Sequence, residues 1–235
     1  VSLMHANNEL GNLLPIKKVS KLCRKYKALF HSDTVQTMGH YNFNLQELDI
    51  DFITCAAHKF HGPKGVGFLY MNRKNKLGQF IMGGSQERKH RGGTENVYGI
   101  IGLGKAMELA YANLESHIKH VQELKYYMID ELLKIDSNIS FNGDIGKQTS
   151  LYTVLNVCFP INKNNNLLYF ILDLNGVAAS EGSACSAGAI TESHVLEALP
   201  NTNCQSIRFS FSRYTTKQEI DFALSKISEL IKLDE

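Results

Sequence analysis

Short apolar runs alternate with amphipathic stretches along the chain. VSLM, at the start, reads as a buried strand, and the turn NNELGNLLP leads into a helical period over about residues 16–26. ALFHSD, DFITCAA and VGFLYM read as three further strands, the first ending in polar residues. Apolar strands alternating with a helix predict an α/β fold, with a largely parallel sheet carrying helices on its faces. MGGSQERKHRGGTEN, glycine-rich and basic, predicts a loop, and a helical pattern then runs from about Val97 to Leu133 with a break near Ser116.

Beyond that break the pattern changes. SISFNG, LYTVLNVCF and SIRFSFS read as strands, with the polar loop NKNNN, a short helix, GVAAS and GSACSAGA between the last two. A closing helix starts near Lys217, where Thr216 and Glu219 form a capping box and Ile220, Leu224, Ile227 and Ile231 make the buried stripe. Residues 1–114 are expected to form part of a larger domain and residues 115–235 a smaller α+β domain.

Bulk properties narrow the function. The 235 residues are 43% hydrophobic and 20% charged, the balance of a soluble globular protein. Lys and Arg number 25 against 23 Asp and Glu, a net charge of +2, too even for a nucleic-acid or membrane surface. No apolar run approaches the length of a membrane span. A small-molecule site is the expectation. Five scattered cysteines without a CxxC pair argue against a disulfide framework and a zinc site, and predict reduced thiols in a cytoplasmic protein. The opening VSLM lacks an initiating Met and reads as a strand entering mid-fold, so an N-terminal part is expected to be missing.

In parallel sheets chemistry collects at the carboxyl ends of strands. Three polar clusters stand there: Asn7 with Asn8, Asp33 with Gln36, and His58 with Lys59 in AAHKFHGPKG. GPKG and the later GIIGLGKA lack the spacing of a phosphate loop. A lysine near apolar walls has its ammonium disfavoured, and a neutral amine can form a Schiff base with pyridoxal phosphate (PLP). That cofactor needs a carboxylate to keep its pyridine nitrogen protonated, which Asp33 can supply, and Gln36 can bond the ring oxygen. Cys185, in EGSACSAGA, is either a small buried cysteine or a loop thiol able to reach a substrate. Arg208 lies in an otherwise apolar strand and calls for a bidentate anion, either a substrate carboxylate or a protein acid.

HANNELG, HSDTVQ, AAHKFHGPKGVGFLY, GGSQERKHRGGTEN, GSACSAGA and SIRFSFSR, in this order, resemble the cysteine desulfurases. These are fold-type-I PLP enzymes of the class-V aminotransferase group, serving iron–sulfur cluster assembly and thiolation. The resemblance covers essentially the whole chain and is to the C-terminal portion of such enzymes. It implies that Lys59 is the Schiff-base lysine, Asp33 the partner of the pyridine nitrogen and Gln36 that of the ring oxygen. His58 and, across a homodimer interface, Thr94 would hold the phosphate. Asn8 would lie beside cofactor and substrate, Arg208 would grip the carboxylate of L-cysteine, and Cys185 would accept the sulfur as a persulfide. A sulfur-acceptor or iron–sulfur scaffold protein would be the partner. Ala56 departs from the pattern, standing where the family often has a phosphate-binding serine. The alternatives are a related lyase acting on selenocysteine and a folded, non-catalytic piece.

Overall fold

A computed structural model describes residues 1–161, 167–181, 193–200 and 204–232. NKNNN and the GSACSAGA stretch with Cys185 lie outside the described residues. The chain forms two compact units, one of residues 1–5 and 14–114, the other of residues 6–13 and 115–235. Among the described residues, no helix is long and apolar enough to cross a membrane.

The first unit holds β1 (Ser2–Met4), α1 (Ile16–Lys25), β2 (His31–Asp33), α2 (Leu45–Leu48), β3 (Phe52–Ala56), a 3-10 helix (Ala57–Phe60), β4 (Gly67–Met71), α3 (Gln86–Lys89) and α4 (Val97–Ala112). The sheet order is β1-β2-β3-β4. β1, β2 and β3 run parallel, with Met4 beside Asp33 and Asp33 beside Thr54, while β4 returns antiparallel against β3. The predicted parallel sheet is therefore mostly so, with one reversed edge. Ile16, Cys23, Phe30, Ile50, Ile53, Ala57, Phe60, Ala106 and Ala110 share one buried core. α3 is a single turn in which Glu87, Arg88 and Lys89 all take positive φ. α4 is capped by Asn96, whose side chain accepts from the Gly99 N–H.

Asp51, fully buried, ties the amino ends of these strands together. Its Oδ2 accepts the Phe30 N–H at 2.8 Å and pairs with Arg24 from α1, and its Oδ1 accepts Asn75 Nδ2 at 2.8 Å. Burial alone would raise its pKa, but the bonds from Asn75, Phe30 and Arg24 outweigh it and hold the carboxyl below the usual range.

The second unit holds α5 (Leu114–Ile135), β5 (Ser140–Phe141), β6 (Val154–Pro160), α6 (Leu168–Leu174), α7 (His194–Glu197), β7 (Cys204–Ser210) and α8 (Lys217–Lys232). α4 and α5 part at Asn113, three residues before the expected break. The antiparallel sheet β5-β6-β7 has Asn156 opposite Arg208. GVAAS flanks β7, where Ser180 and Arg208 exchange backbone bonds. The predicted capping box forms, with Glu219 accepting from Thr216 and Thr216 Oγ1 accepting the Glu219 N–H. Ile220, Leu224 and Ile227 are buried, as is Ala223, while Ile231 is half-buried.

Two expectations are overturned. VSLM was expected to be buried, but β1 is exposed along its length, standing at the edge of its sheet with a neighbour on one side only among the described residues. The second concerns the cysteines. Cys158 and Cys204 form a disulfide, their Cα atoms 5.4 Å apart and 46 residues apart in sequence. The pairing was hidden because neither cysteine sits in a short-range motif; only the β6–β7 ladder brings them together. Cys23 and Cys55 are buried and unbonded. Peptide mapping without reduction should recover Cys158 and Cys204 as one linked pair, and Cys204→Ser should leave Cys158 open to alkylation once denatured. Recovery of both as free thiols from unreduced protein would contradict the pairing.

Candidate active site

β3 ends at Ala56 and tightens at once into the 3-10 helix that carries His58 and Lys59. Ala57 N–H bonds back to Val66 and Gly62 N–H to Ala57, and His61 stops the helix in the left-handed region at φ 68°. His58 is exposed and Lys59 half-buried. The GPKG turn is a packing device. A Cβ on Gly102 of α4 would lie 2.5 Å from the Pro63 ring, and one on Gly62 would lie 2.8 Å from Ala57 Cβ. Gly99 and Gly102 of GIIGLGKA thus let this turn press against α4, where contact distance leaves no room for a side chain.

Asp33 ends β2 on the neighbouring strand. Its Oδ1 accepts the Val35 N–H at 2.8 Å, an Asx-type turn that brings Gln36 round on the same loop. Two contacts lock this loop to the lysine helix: His40 Nε2 donates to the Lys59 carbonyl at 3.1 Å, and Gly39, at φ 78°, lies against the Phe60 ring. Asp33's charge, added to burial, helps push the Cys55 thiol up to about 12, burial being the larger cause. His5, at the end of β1, lies 2.9 Å from Thr37 Oγ1 through Nδ1, with the Tyr41 and Phe43 rings edge-on to it. Burial lowers its pKa to about 4, so it is neutral.

Asn8 and Arg208 meet in the second unit, where Arg208 Nη1 donates to the Asn8 carbonyl at 2.8 Å. Arg208 is 9% exposed. Asn8 belongs to a turn that Asn7 caps by accepting the Glu9 and Leu10 N–H groups. That turn leans on the 149–151 segment through Gly11 and Leu13, and Lys125 from α5 donates to Ser150 Oγ and the Leu151 carbonyl. Lys125 is 1% exposed, and burial lowers its pKa to about 8. Thr94 is exposed in the loop before α4.

The sequence matches the aminotransferase class-V family over residues 1–222. The chain belongs to the class-V aminotransferases. Among curated relatives, cysteine desulfurase IscS of Dictyoglomus turgidum is 43% identical over 236 residues, covering 99% of this chain and 59% of that one. A cysteine desulfurase of Nostoc sp. is 40% identical over 237 residues, covering 99% of this chain and 58% of the relative. A solved NifS-like protein superposes with a TM-score of 0.86 at 35% identity, covering 99% of this chain and 61% of that one. The chain spans about three fifths of the length of the curated relatives it matches.

Class-V aminotransferases use PLP, and the first unit's donor set suits that group. An amine on a rigid one-turn helix and a carboxylate on the adjoining strand end are fixed to each other by His40 and Phe60, while Gln36 adds an amide. For the phosphate, His58 is at hand, whereas Ala56 brings no hydroxyl. Sequence reasoning passed over His5, Glu9, Lys125 and Asn156. Asn156 did leave a signal, being the one polar side chain within an apolar strand run, VLNVCF.

The folded pKa of His5, about 4, lies below its ordinary 6.5, so between these values the unfolded chain binds the extra proton. His5's share of stability is then complete above pH 6.5 and is lost as pH falls towards 4, by up to about 3 kcal/mol. Denaturant unfolding of the protein and of His5→Gln at pH 7 and pH 4.5 should show their difference narrowing on acidification. A constant difference would put a proton on His5 in the folded protein.

Proposed function

We propose that this protein is the PLP-binding and sulfur-accepting part of a cysteine desulfurase. The observation that carries the reading is the lock between the Lys59 helix and the Asp33–Gln36 turn at the carboxyl ends of β2 and β3. The names of its relatives point the same way. PLP, when bound, supplies an electron sink that acidifies the Cα–H of an amino acid. Asp33 would keep its pyridine nitrogen protonated, Gln36 would bond the ring oxygen, and His58 would help hold the phosphate. Lys59 would hold the cofactor through its amine, and as a free amine it would serve as the base at the Cα of L-cysteine. Arg208 and Asn8 hold the substrate carboxylate.

Cys185, as thiolate, attacks the substrate sulfur; the new S–S bond forms as the Cβ–S bond breaks. The sulfur stays on Cys185 as a persulfide and the carbon skeleton leaves as L-alanine. The described cysteines support this assignment, since Cys158 and Cys204 are bonded to each other and Cys55 is held protonated by burial. A sulfur-acceptor or iron–sulfur scaffold protein then takes the sulfur. Borohydride treatment of the PLP-loaded protein should fix cofactor on Lys59, and Lys59→Ala should lose the cofactor absorbance. Cys185→Ala should keep that absorbance and its response to L-cysteine while releasing no sulfide above background. Label on Lys64, or normal sulfide release without Cys185, would overturn these roles.

The protein is further read as a homodimer in which Thr94 reaches the neighbouring subunit's phosphate. Phe80 and Tyr98, 94% and 90% exposed, flank the Thr94 loop in sequence and suit a face covered by a second copy. Thr94→Ala should weaken PLP retention several-fold without loss of fold, and the PLP-loaded protein should sediment as a dimer at micromolar concentration. A fully active monomer excludes the shared site.

A further inference from the structure

β6 is buried along almost its whole length, yet carries one carboxamide, Asn156, 1% exposed. A polar group that deep must be bonded on both its donor and acceptor sides. Its Nδ2 donates to the Glu9 carbonyl at 3.2 Å, and its Oδ1 accepts Asn142 Nδ2 at 2.9 Å. Asn142, also buried, reaches Ser206 Oγ of β7 at 2.8 Å, which fixes which way its own amide, and hence that of Asn156, is turned.

The ladder sets Asn156 directly opposite Arg208, so the two side chains leave the same face of the sheet as neighbours. They end on consecutive carbonyls of one turn: Arg208 on Asn8, Asn156 on Glu9. The Gly11 and Leu13 bonds hold the far side of this turn on the 149–151 segment, and the two side-chain contacts on adjacent carbonyls hold its Asn8–Glu9 side. The Asn8 side chain hangs from the turn so fixed. We infer that Asn156, oriented by Asn142, is a positioning residue that sets the Asn8 turn and with it the grip on the substrate carboxylate. The inference rests on the roles given above to Asn8 and Arg208, but its first consequence, the fixing of the turn, does not.

The test uses the intact PLP-loaded protein, with Asn156→Leu, which keeps the branched shape and removes both bonds, and Asn142→Ala, which removes only the orienting bond. Amide exchange over residues 9–11 should quicken about tenfold in Asn156→Leu, the loss expected of one buried bond, with α1 and α8 unchanged. KM for L-cysteine should rise by about tenfold with kcat within about twofold, because the lost contact orients binding and does not touch the reacting atoms. Asn142→Ala should move both readouts the same way by less, and carries the test if Asn156→Leu does not fold. Exchange that is unchanged at the turn, or faster equally everywhere, overturns the inference, as does a loosened turn with unaltered KM. If the unmutated protein fails to turn over cysteine, the proposed activity is at fault, and the exchange arm alone decides whether Asn156 fixes the turn.

Discussion

A single carboxylate with no access to water sets the frame of the first unit. Asp51 takes bonds from a backbone amide at the start of β2, from the α1 guanidinium and from an amide side chain beyond β4. A buried charge with fewer partners would cost several kcal/mol, so the three elements must arrive together or not at all. With the amino ends of the parallel strands fixed there, the side chains proposed to hold the cofactor stand at the opposite, carboxyl ends. The buried charge is thereby kept to one end of the sheet, and the other end carries a half-buried lysine and an exposed carboxylate.

The second unit solves a different problem. Its sheet is antiparallel and carries buried polar side chains, with Asn142 bonding Asn156 and Ser206, and with Asn156 and the Arg208 Nη1 bonding the carbonyls of a turn contributed from far upstream. Buried polar groups of this sort cost stability when unmatched and confer a unique arrangement when matched. Lys125 follows the same logic from the helix side, its ammonium spent on one hydroxyl and one carbonyl.

Much of this was legible in the sequence. Strand runs, helix periods and the Thr216 capping box depend on neighbours within a few residues, and they read correctly because the physics that forms them is local. The positions of Lys59, Asp33 and Gln36 at strand ends were legible for a related reason, each standing at or just past the end of an apolar run. Residues whose meaning comes from distant partners were not. Asp51 looks like any acidic residue until Arg24 and Phe30 are brought to it, His5 gains its neutral state from Thr37, Tyr41 and Phe43, and the Cys158–Cys204 bond needs the β6–β7 register. The glycines of α4, which lack the spacing of a phosphate loop, gave no sign of their packing role, because a close approach between segments leaves no periodic trace in either.

That close approach has a mechanical meaning. Lys59 sits in a helix of one turn, fixed at its carbonyl by His40, stopped at His61 by an inverted backbone angle, and followed by a proline seated on a bare patch of α4. Those contacts hold the main chain on both sides of the lysine. The freedom left to the amine then lies mainly in its side-chain torsions, so the ordering entropy of the backbone is spent at folding rather than on meeting a partner.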